Sequence, residues 1–227
     1  MEATLARFGA REAAPRIAAL LDALDAEPDP PTTVRDPASA LDTHVADGLA
    51  GLEVDALRHA TAIADVGAGA GFPGLALALA LPGAHVDLIE SARRKGEVIE
   101  RLAVAAGASN ARAVTARAEE WGAAEGKGAY GAVTVRALAP LAVVLEYAAP
   151  LLAAGGTVVA WKGTRDAGEE RGGARAAAEL GLRRVSVLRV EPFAGARDRH
   201  LHVFEKAEPT PDRFPRRTGV ARKRPLG

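Results

Sequence analysis

The stretch Ala62-Ile63-Ala64-Asp65-Val66-Gly67-Ala68-Gly69-Ala70-Gly71-Phe72-Pro73-Gly74 limits the possible folds more than any other part of the chain. A short apolar run enters a segment with glycine at every second position, and an apolar helix-like stretch follows. That order predicts a buried strand, a tight turn and a helix with Pro73 at its first position, where the missing N–H costs nothing. Glycine there permits positive φ and lets a ligand approach the main chain. The free N–H groups of a following helix favour negative or electron-rich ligand groups.

Two ligand classes suit such a loop. Gly69-x-Gly71-x-x-Gly74 fits the dinucleotide fingerprint, which alone is a weak signal. The longer string Asp65-x-Gly67-x-Gly69-x-Gly71 is more specific and resembles motif I of class I S-adenosylmethionine-dependent methyltransferases.

At 227 residues the chain is expected to form one domain, or one domain with a small extension. No run of about 18 uncharged apolar residues is present, so no membrane span is expected. Nor does the N-terminus carry the apolar core of a secretion signal. Cysteine is absent, which excludes a disulfide framework, a thiolate metal site and a cysteine nucleophile. A cytoplasmic enzyme is the expectation. Formal net charge is zero, but six basic residues and no acid fall within 213–227, leaving 23 basic against 29 acidic residues in the remainder. An acidic body with a basic tail points either to an anionic partner for the tail or to a solvated terminus.

Ile17, Leu20, Leu21 and Leu24 recur at helical spacing and predict an amphipathic helix over 15–26. Pro28, Pro30 and Pro31 end it, Val34–Pro37 reads as a turn, and Asp36 or Ser39 is placed to cap a helix over about 38–50. His44 and Asp47 share one face of that helix. Strands are expected at 62–66, 84–90, 111–115, 131–136 and 157–162. Helices are expected at 73–81, 92–107, 117–122, 139–152 and 168–181. The strands lack polar alternation, as in a parallel sheet covered on both faces. The pattern is a doubly wound α/β fold. Two further strand-like segments, 184–191 and 199–205, have no helix between them and predict an antiparallel hairpin at one sheet edge. The division expected is a helical extension over 1–58, a catalytic domain over 59–207 and a basic tail over 208–227.

A ligand of such a fold lies at the carboxyl ends of the strands. Glu90 ends the second strand, where an acid accepts hydrogen bonds from ribose hydroxyls; the alternative is an acid that caps the next helix. Ala118 and Glu119 follow the third strand, where an adenine edge would fall. Arg136 ends the fourth strand and Lys162 the fifth, both as candidate substrate or transition-state contacts.

Together these pieces resemble the bacterial 16S ribosomal RNA guanine-N7 methyltransferase family RsmG, also called GidB. The matching segments are Val34-Arg35-Asp36-Pro37 with His44 and Asp47, Asp65 to Gly74, Arg117-Ala118-Glu119-Glu120, Val135-Arg136-Ala137, Trp161-Lys162-Gly163 and Arg199-His200-Leu201. The tail adds Phe214-Pro215-Arg216-Arg217-Thr218-Gly219 and Lys223-Arg224-Pro225-Leu226. The resemblance runs from about residue 15 to the end. It departs from the family at Pro28–Thr33, where a Trp-Asn and Asn-Leu-Thr stretch is usual. It implies a class I methyltransferase fold with a seven-stranded, mostly parallel sheet, and S-adenosylmethionine contacts at Gly67, Phe72, Ala118, Glu119 and Arg136. Gly69 joins the loop expected against the methionine part. The implied partner is 16S ribosomal RNA or the small ribosomal subunit, bound by a monomer with no membrane attachment.

Guanine N7 has a free lone pair, so it needs no deprotonation before methylation. Enzymes that methylate exocyclic amines carry an Asn/Asp-Pro-Pro-Tyr type clamp after the fourth strand. Here that place reads Thr134-Val135-Arg136-Ala137-Leu138, so N6-adenine and N2-guanine transfer are disfavoured. No general base is assigned, and His44, His59, His85, His200 and His202 have no metal-site spacing. With two Trp, two Tyr and five Phe, the chain offers little stacking surface for RNA. Phosphate contacts are expected from Arg199, His200, Arg216, Arg217, Lys223 and Arg224. Two other readings are an NAD-type oxidoreductase, for which no hydride-site histidine or Tyr-x-x-x-Lys is evident, and a non-catalytic ribosome assembly factor.

Overall fold

The computed structural model describes residues 1–34 and 36–227. Seven strands form one sheet: β1 (Ala62–Val66), β2 (His85–Glu90), β3 (Ala111–Thr115), β4 (Tyr130–Arg136), β5 (Leu152–Lys162), β6 (Leu182–Val190) and β7 (Arg199–Lys206). Their order is β3-β2-β1-β4-β5-β7-β6. All neighbours are parallel up to β5, and β7 runs antiparallel to both β5 and β6. The terminal hairpin is therefore present. Its first turn matters for function, because reversing β7 brings Arg199 and His200 to the edge where Lys162 ends β5, with Lys162 paired to His200.

The chain leaves β1 in one direction through β2 and β3, then returns to place β4 on the other side of β1. The crevice at that reversal is where ligands of open α/β sheets bind. Helices α6 (Gly74–Ala80), α7 (Arg93–Ala105), α8 (Ala118–Gly122), α9 (Leu141–Ala148) and α10 (Ala167–Leu180) connect the strands. Strand β5 starts five residues before the expected 157. Gly155, at φ +74°, and Gly156 absorb a register shift against β4, so the pairing resumes beyond them.

The N-terminal part differs from the expectation of one helix over 38–50. After α1 (Glu2–Arg7) and α2 (Ala14–Ala26) come α3 (Pro37–Ala40), a wide π-type turn over Leu41–Ala46, α4 (Asp47–Leu49), a 3-10 turn over Ala50–Glu53 and α5 (Asp55–Arg58). Asp36 supplies the cap of α3, accepting from Ser39 N at 2.8 Å, while Arg35 of the expected turn lies outside the described residues. Tertiary contact sets the break. A Cβ at Gly51 would stand 2.5 Å from the Trp161 ring, and one at Gly48 would stand 3.1 Å from Pro73. The segment follows the surface it packs on rather than one helix axis. Leu5, Ile17, Leu20, Leu49 and Leu57 share one apolar cluster with Ile63, Leu75 and Val86 of the sheet domain.

The tail is folded onto the body rather than solvated. Phe214, Ala221 and Leu226 are buried in the apolar cluster beneath α9 and α10. A short helix, α11 (Val220–Lys223), follows Gly219. Among the described residues no helix is long and apolar enough to cross a membrane.

Candidate active site at the carboxyl edge of the sheet

The glycine loop leaves β1 in the left-handed region at Gly67, Gly69 and Gly71 (φ +72°, +59° and +92°). Gly69 shows why a side chain is excluded. Its missing Cβ has nothing nearer than Gly67 O at 3.8 Å, so a side chain would strain the backbone and project into open space. Pro73 is the residue before α6 rather than its first residue, and the Phe72–Pro73 peptide is cis. The sequence suggested free N–H groups at the helix start, but the first N–H of α6 is taken internally: Gly74 N donates to Asp65 Oδ2 at 2.9 Å. A Cβ at Gly74 would lie 2.8 Å from that oxygen, so only glycine fits. Asp65 Oδ1 accepts from Thr134 Oγ1 at 3.0 Å. Asp65 is fully buried, and desolvation pushes its carboxyl up to about 6 against the opposing pull of the Gly74 and Thr134 donors and the Arg136 charge. Asp65 thus ties β1 to β4 and to the start of α6, behind the loop.

Glu90 ends β2 beside the loop. Oε2 accepts from Gly69 N at 3.1 Å and Oε1 from Ala92 N at 2.8 Å. One carboxylate therefore shapes the glycine turn and the entry to α7, and it also lines the cleft.

Arg136, at the end of β4, reaches across to the N-terminal helices. Nη1 donates to Thr43 O at 2.7 Å and to Asp47 Oδ2 at 2.9 Å, and Nη2 lies 3.4 Å from His44 Nδ1. Arg199 Nε stands 3.3 Å from the other Asp47 oxygen, which is buried and has no aligned hydrogen-bond donor among the described residues. The backbone carbonyl of Asp47 accepts from Trp161 Nε1 at 2.8 Å. Asp47 does not orient the His44 imidazole directly; Arg136 stands between them. The His44 ring stacks on Phe72, with centroids 4.9 Å apart. Its Nε2 contacts Thr32 Oγ1 at 3.0 Å. Burial and then the neighbouring Arg136 charge hold its pKa below the usual histidine value. With a guanidinium facing Nδ1, the neutral ring carries its proton on Nε2 and donates to Thr32.

Lys162 donates to Ala139 O at 2.7 Å and to Glu169 Oε1 at 2.6 Å, so its ammonium is held at the β5 end by its own domain. His200 Nδ1 contacts Gly163 O at 2.9 Å. Glu119 Oε1 accepts from Gly219 N at 2.8 Å, and Thr218 Oγ1 donates to Glu120 Oε1 at 3.1 Å, so the tail closes the cleft beside Ala118. Arg216 is not on the outer surface of the tail. Its Nε donates to buried Glu146 Oε1 at 2.6 Å, and its Nη2 donates to the other Glu146 oxygen and to Arg224 O. Arg217, Lys223 and Arg224 are exposed.

Gly67, Gly69, Phe72, Glu90, Ala118, Glu119, Arg136, Lys162 and Arg199 all line one cavity of about 850 Å³. His200, Arg216, Arg217, Lys223 and Arg224 do not. The cavity also includes Leu138, Tyr147 and Arg222, which sequence reasoning did not single out. Arg222 belongs to a recognisable basic tail, but nothing local reveals that the tail folds back. The volume falls within the range of small-molecule sites, about 300–1,000 Å³. The open space at Gly69, the carboxylate of Glu90 and the apolar faces of Phe72 and Leu138 suit an extended nucleoside ligand.

The family model for rRNA small subunit methyltransferase G (GidB) matches residues 31–201. The Ribosomal RNA small subunit methyltransferase G of Rubrobacter xylanophilus is 42% identical over 196 residues, covering 85% of this chain and 75% of that protein. The protein of the same name from Deinococcus radiodurans is 40% identical, covering 81% of this chain and 73% of its own length. Among solved structures, cofactor-bound Rv0187 from MTB superposes with a TM-score of 0.57 at 20% identity, over 86% of this chain and 90% of that one. An S-adenosylmethionine-dependent O-methyltransferase from Thermotoga maritima gives a TM-score of 0.53 at 15% identity, over 67% and 61%. These two likenesses concern the fold.

Proposed function

The chain belongs to the rRNA small subunit methyltransferase G family, and from that premise we propose that it methylates N7 of a guanine in the decoding region of 16S ribosomal RNA, as a cytoplasmic monomer. It is an S-adenosylmethionine-dependent methyltransferase, and neither the NAD-type oxidoreductase nor the non-catalytic assembly factor is favoured.

Gly67, Gly69, Phe72, Glu90, Ala118 and Glu119 hold the cofactor in this reading. Bound there, S-adenosylmethionine supplies a methyl group on a sulfonium sulfur. Glu90 is placed to accept from the ribose hydroxyls while its two backbone bonds keep the glycine turn in shape. Arg136 acts at one remove, fixing the Thr43–Asp47 wall over the cleft. The hub of Arg136, Asp47 and Arg199 holds two guanidiniums and one carboxylate around a neutral His44, so one positive charge remains over. Arg199, with 41% of its side chain exposed, brings that charge to the RNA side.

The observation that carries the N7 assignment is that His44, the one imidazole lining the cleft among the described residues, has both ring nitrogens in contact. Glu90, Glu119 and Asp47 each accept from backbone amides or arginine. N7 attacks with its own lone pair, so the chain has no proton to remove. Its work is alignment, which supplies at best about 7–11 kcal/mol. The test is transfer from methyl-tritiated S-adenosylmethionine to naked 16S RNA and to small subunits, followed by digestion to nucleosides. Label in 7-methylguanosine supports the assignment, and the better acceptor identifies the natural substrate. Label on an exocyclic nitrogen or a ribose would overturn it.

A further inference from the structure

One exposed cation of the tail, Arg222, also reaches the cleft. Arg222 lies on α11, nearly a hundred residues after α8, yet it lines the cleft together with Ala118, Glu119 and Tyr147. Its Nη2 donates to Leu138 O at 3.1 Å. Leu138 is the residue whose side chain roofs the glycine turn: a Cβ at Gly67 would meet it at 2.7 Å. Gly219, at φ +81°, directs the start of α11 back toward the body, and its N–H is held by Glu119. Three anchors hold the segment in place: buried Phe214, buried Leu226 and the Arg216–Glu146 pair. The position of Arg222 is therefore built, not incidental to a loose terminus.

We propose that the C-terminal segment is a wall of the cofactor site, and that Arg222 is a cofactor-binding residue on its purine side; the inference rests on the cofactor reading above. A guanidinium carries five N–H donors, and the bond to Leu138 O leaves others for the cavity. Purine ring nitrogens are acceptors, and an arginine plane also packs on an aromatic face. Glu119, a polar side chain of the cleft next to Ala118, spends Oε1 on the Gly219 amide. The tail thus both uses a polar group of the α8 wall and supplies another in its place. Anything that pulls the tail from the body removes Arg222 from the cleft. RNA phosphates bound at neighbouring Arg217 and Lys223 then bear on the cofactor site, and by linkage each ligand changes the other's affinity by the same factor.

Calorimetric titration with S-adenosylhomocysteine tests this without turnover. Arg222→Gln is compared with wild type and with Arg213→Gln, an equal charge change on the tail outside the cleft, where Arg213 pairs with exposed Glu179. Loss of one hydrogen bond from a charged donor predicts about a tenfold weaker Kd for Arg222→Gln. Arg213→Gln should match wild type. Methylthioadenosine, which keeps the purine and lacks the amino-acid end, should weaken by the same factor. Amide exchange of the variants before titration shows that the tail stays docked. Wild-type affinity in a docked Arg222→Gln variant would overturn the proposal, as would a loss seen for S-adenosylhomocysteine but not for methylthioadenosine. Failure of the wild-type protein itself to bind would overturn the cofactor reading, and this inference with it.

Discussion

Arg136 Nη1 and Asp47 Oδ2 meet at 2.9 Å across 89 residues of sequence, joining the end of a central strand to the N-terminal helices. Both side chains are mostly buried, at 16% and 9% exposure. Removing one member of such a pair leaves a charge without compensation, at a cost of roughly 3–5 kcal/mol. Arg136→Ala is expected to lose stability on that scale, and Arg136→Lys a large part of it, because an ammonium cannot reach Thr43, His44 and Asp47 together. The double variant Arg136→Met/Asp47→Leu should regain most of the stability and none of the methyl transfer. Denaturant titration beside a tritium assay separates the two effects. A double variant as unstable as the single one would show that the pair is not the source of the loss.

His44 serves as a prop in this arrangement. Stacked on Phe72 and bonded to Thr32, it docks the N-terminal segment over the cleft. His44→Ala is expected to cost about 1–3 kcal/mol and to reduce turnover per folded molecule far less. The comparison requires melting curves and active-site titration on the same preparation. A large fall in turnover at unchanged stability would assign His44 to the chemistry instead.

Asp65 gives a pH signature whose sign follows from burial. Its folded pKa is raised from 3.8 to about 6, so the native state holds the proton more tightly than the unfolded chain does. Stability from this group is full at pH values below the unfolded pKa and falls as pH rises through the window to about 6. About two units correspond to a penalty on the order of 3 kcal/mol above that window. Asp65→Asn keeps an acceptor for Gly74 N and removes the charge. The stability of the variant relative to wild type should therefore rise between the two pKa values and level off above them. Chemical denaturation at a series of pH values checks this, and parallel curves would contradict the assignment.

The sheet and its glycine loop were legible because their signals are contiguous: apolar runs, alternating glycines and an acid at a strand end. The contacts that make the site were not. Arg136 with Asp47, and Gly219 with Glu119, pair residues 89 and 100 positions apart. Arg136 reads from sequence as a free fork at a strand end, yet Asp47, Thr43 and His44 occupy it. The helix expected over 38–50 carries Gly48 and is followed by Gly51, whose role as contact points for Pro73 and Trp161 appears only in the fold. The tail announced its charge but not that Arg216 pairs with buried Glu146.

That division of the tail changes what a deletion can test. Removing 213–227 would strip Arg222 and the Glu119 partner from the cleft, so it should weaken S-adenosylmethionine binding as well as RNA binding. Substituting only the outer cations Arg217, Lys223 and Arg224 with glutamine isolates the RNA term. Each lost phosphate contact should reduce the slope of log K against log salt by about 0.7 for single-stranded RNA. Filter binding across a salt series, with cofactor affinity measured in parallel, provides the readout. An unchanged slope in the triple variant would move the RNA surface elsewhere, to Arg199 and His200.

Alignment without proton removal is the central chemical claim, and the pH dependence of the transfer step tests it most directly. The measurement is the single-turnover rate of methyl transfer to small subunits, with enzyme and cofactor saturating, from about pH 6.5 to about 8.5. A group acting as general base would impose its titration on that rate, up to about tenfold per pH unit below its pKa. With His44 neutral and both its nitrogens occupied, the rate should stay level across the range. A rate rising in proportion to hydroxide concentration would show that a proton leaves before the methyl group arrives, and would contradict the account.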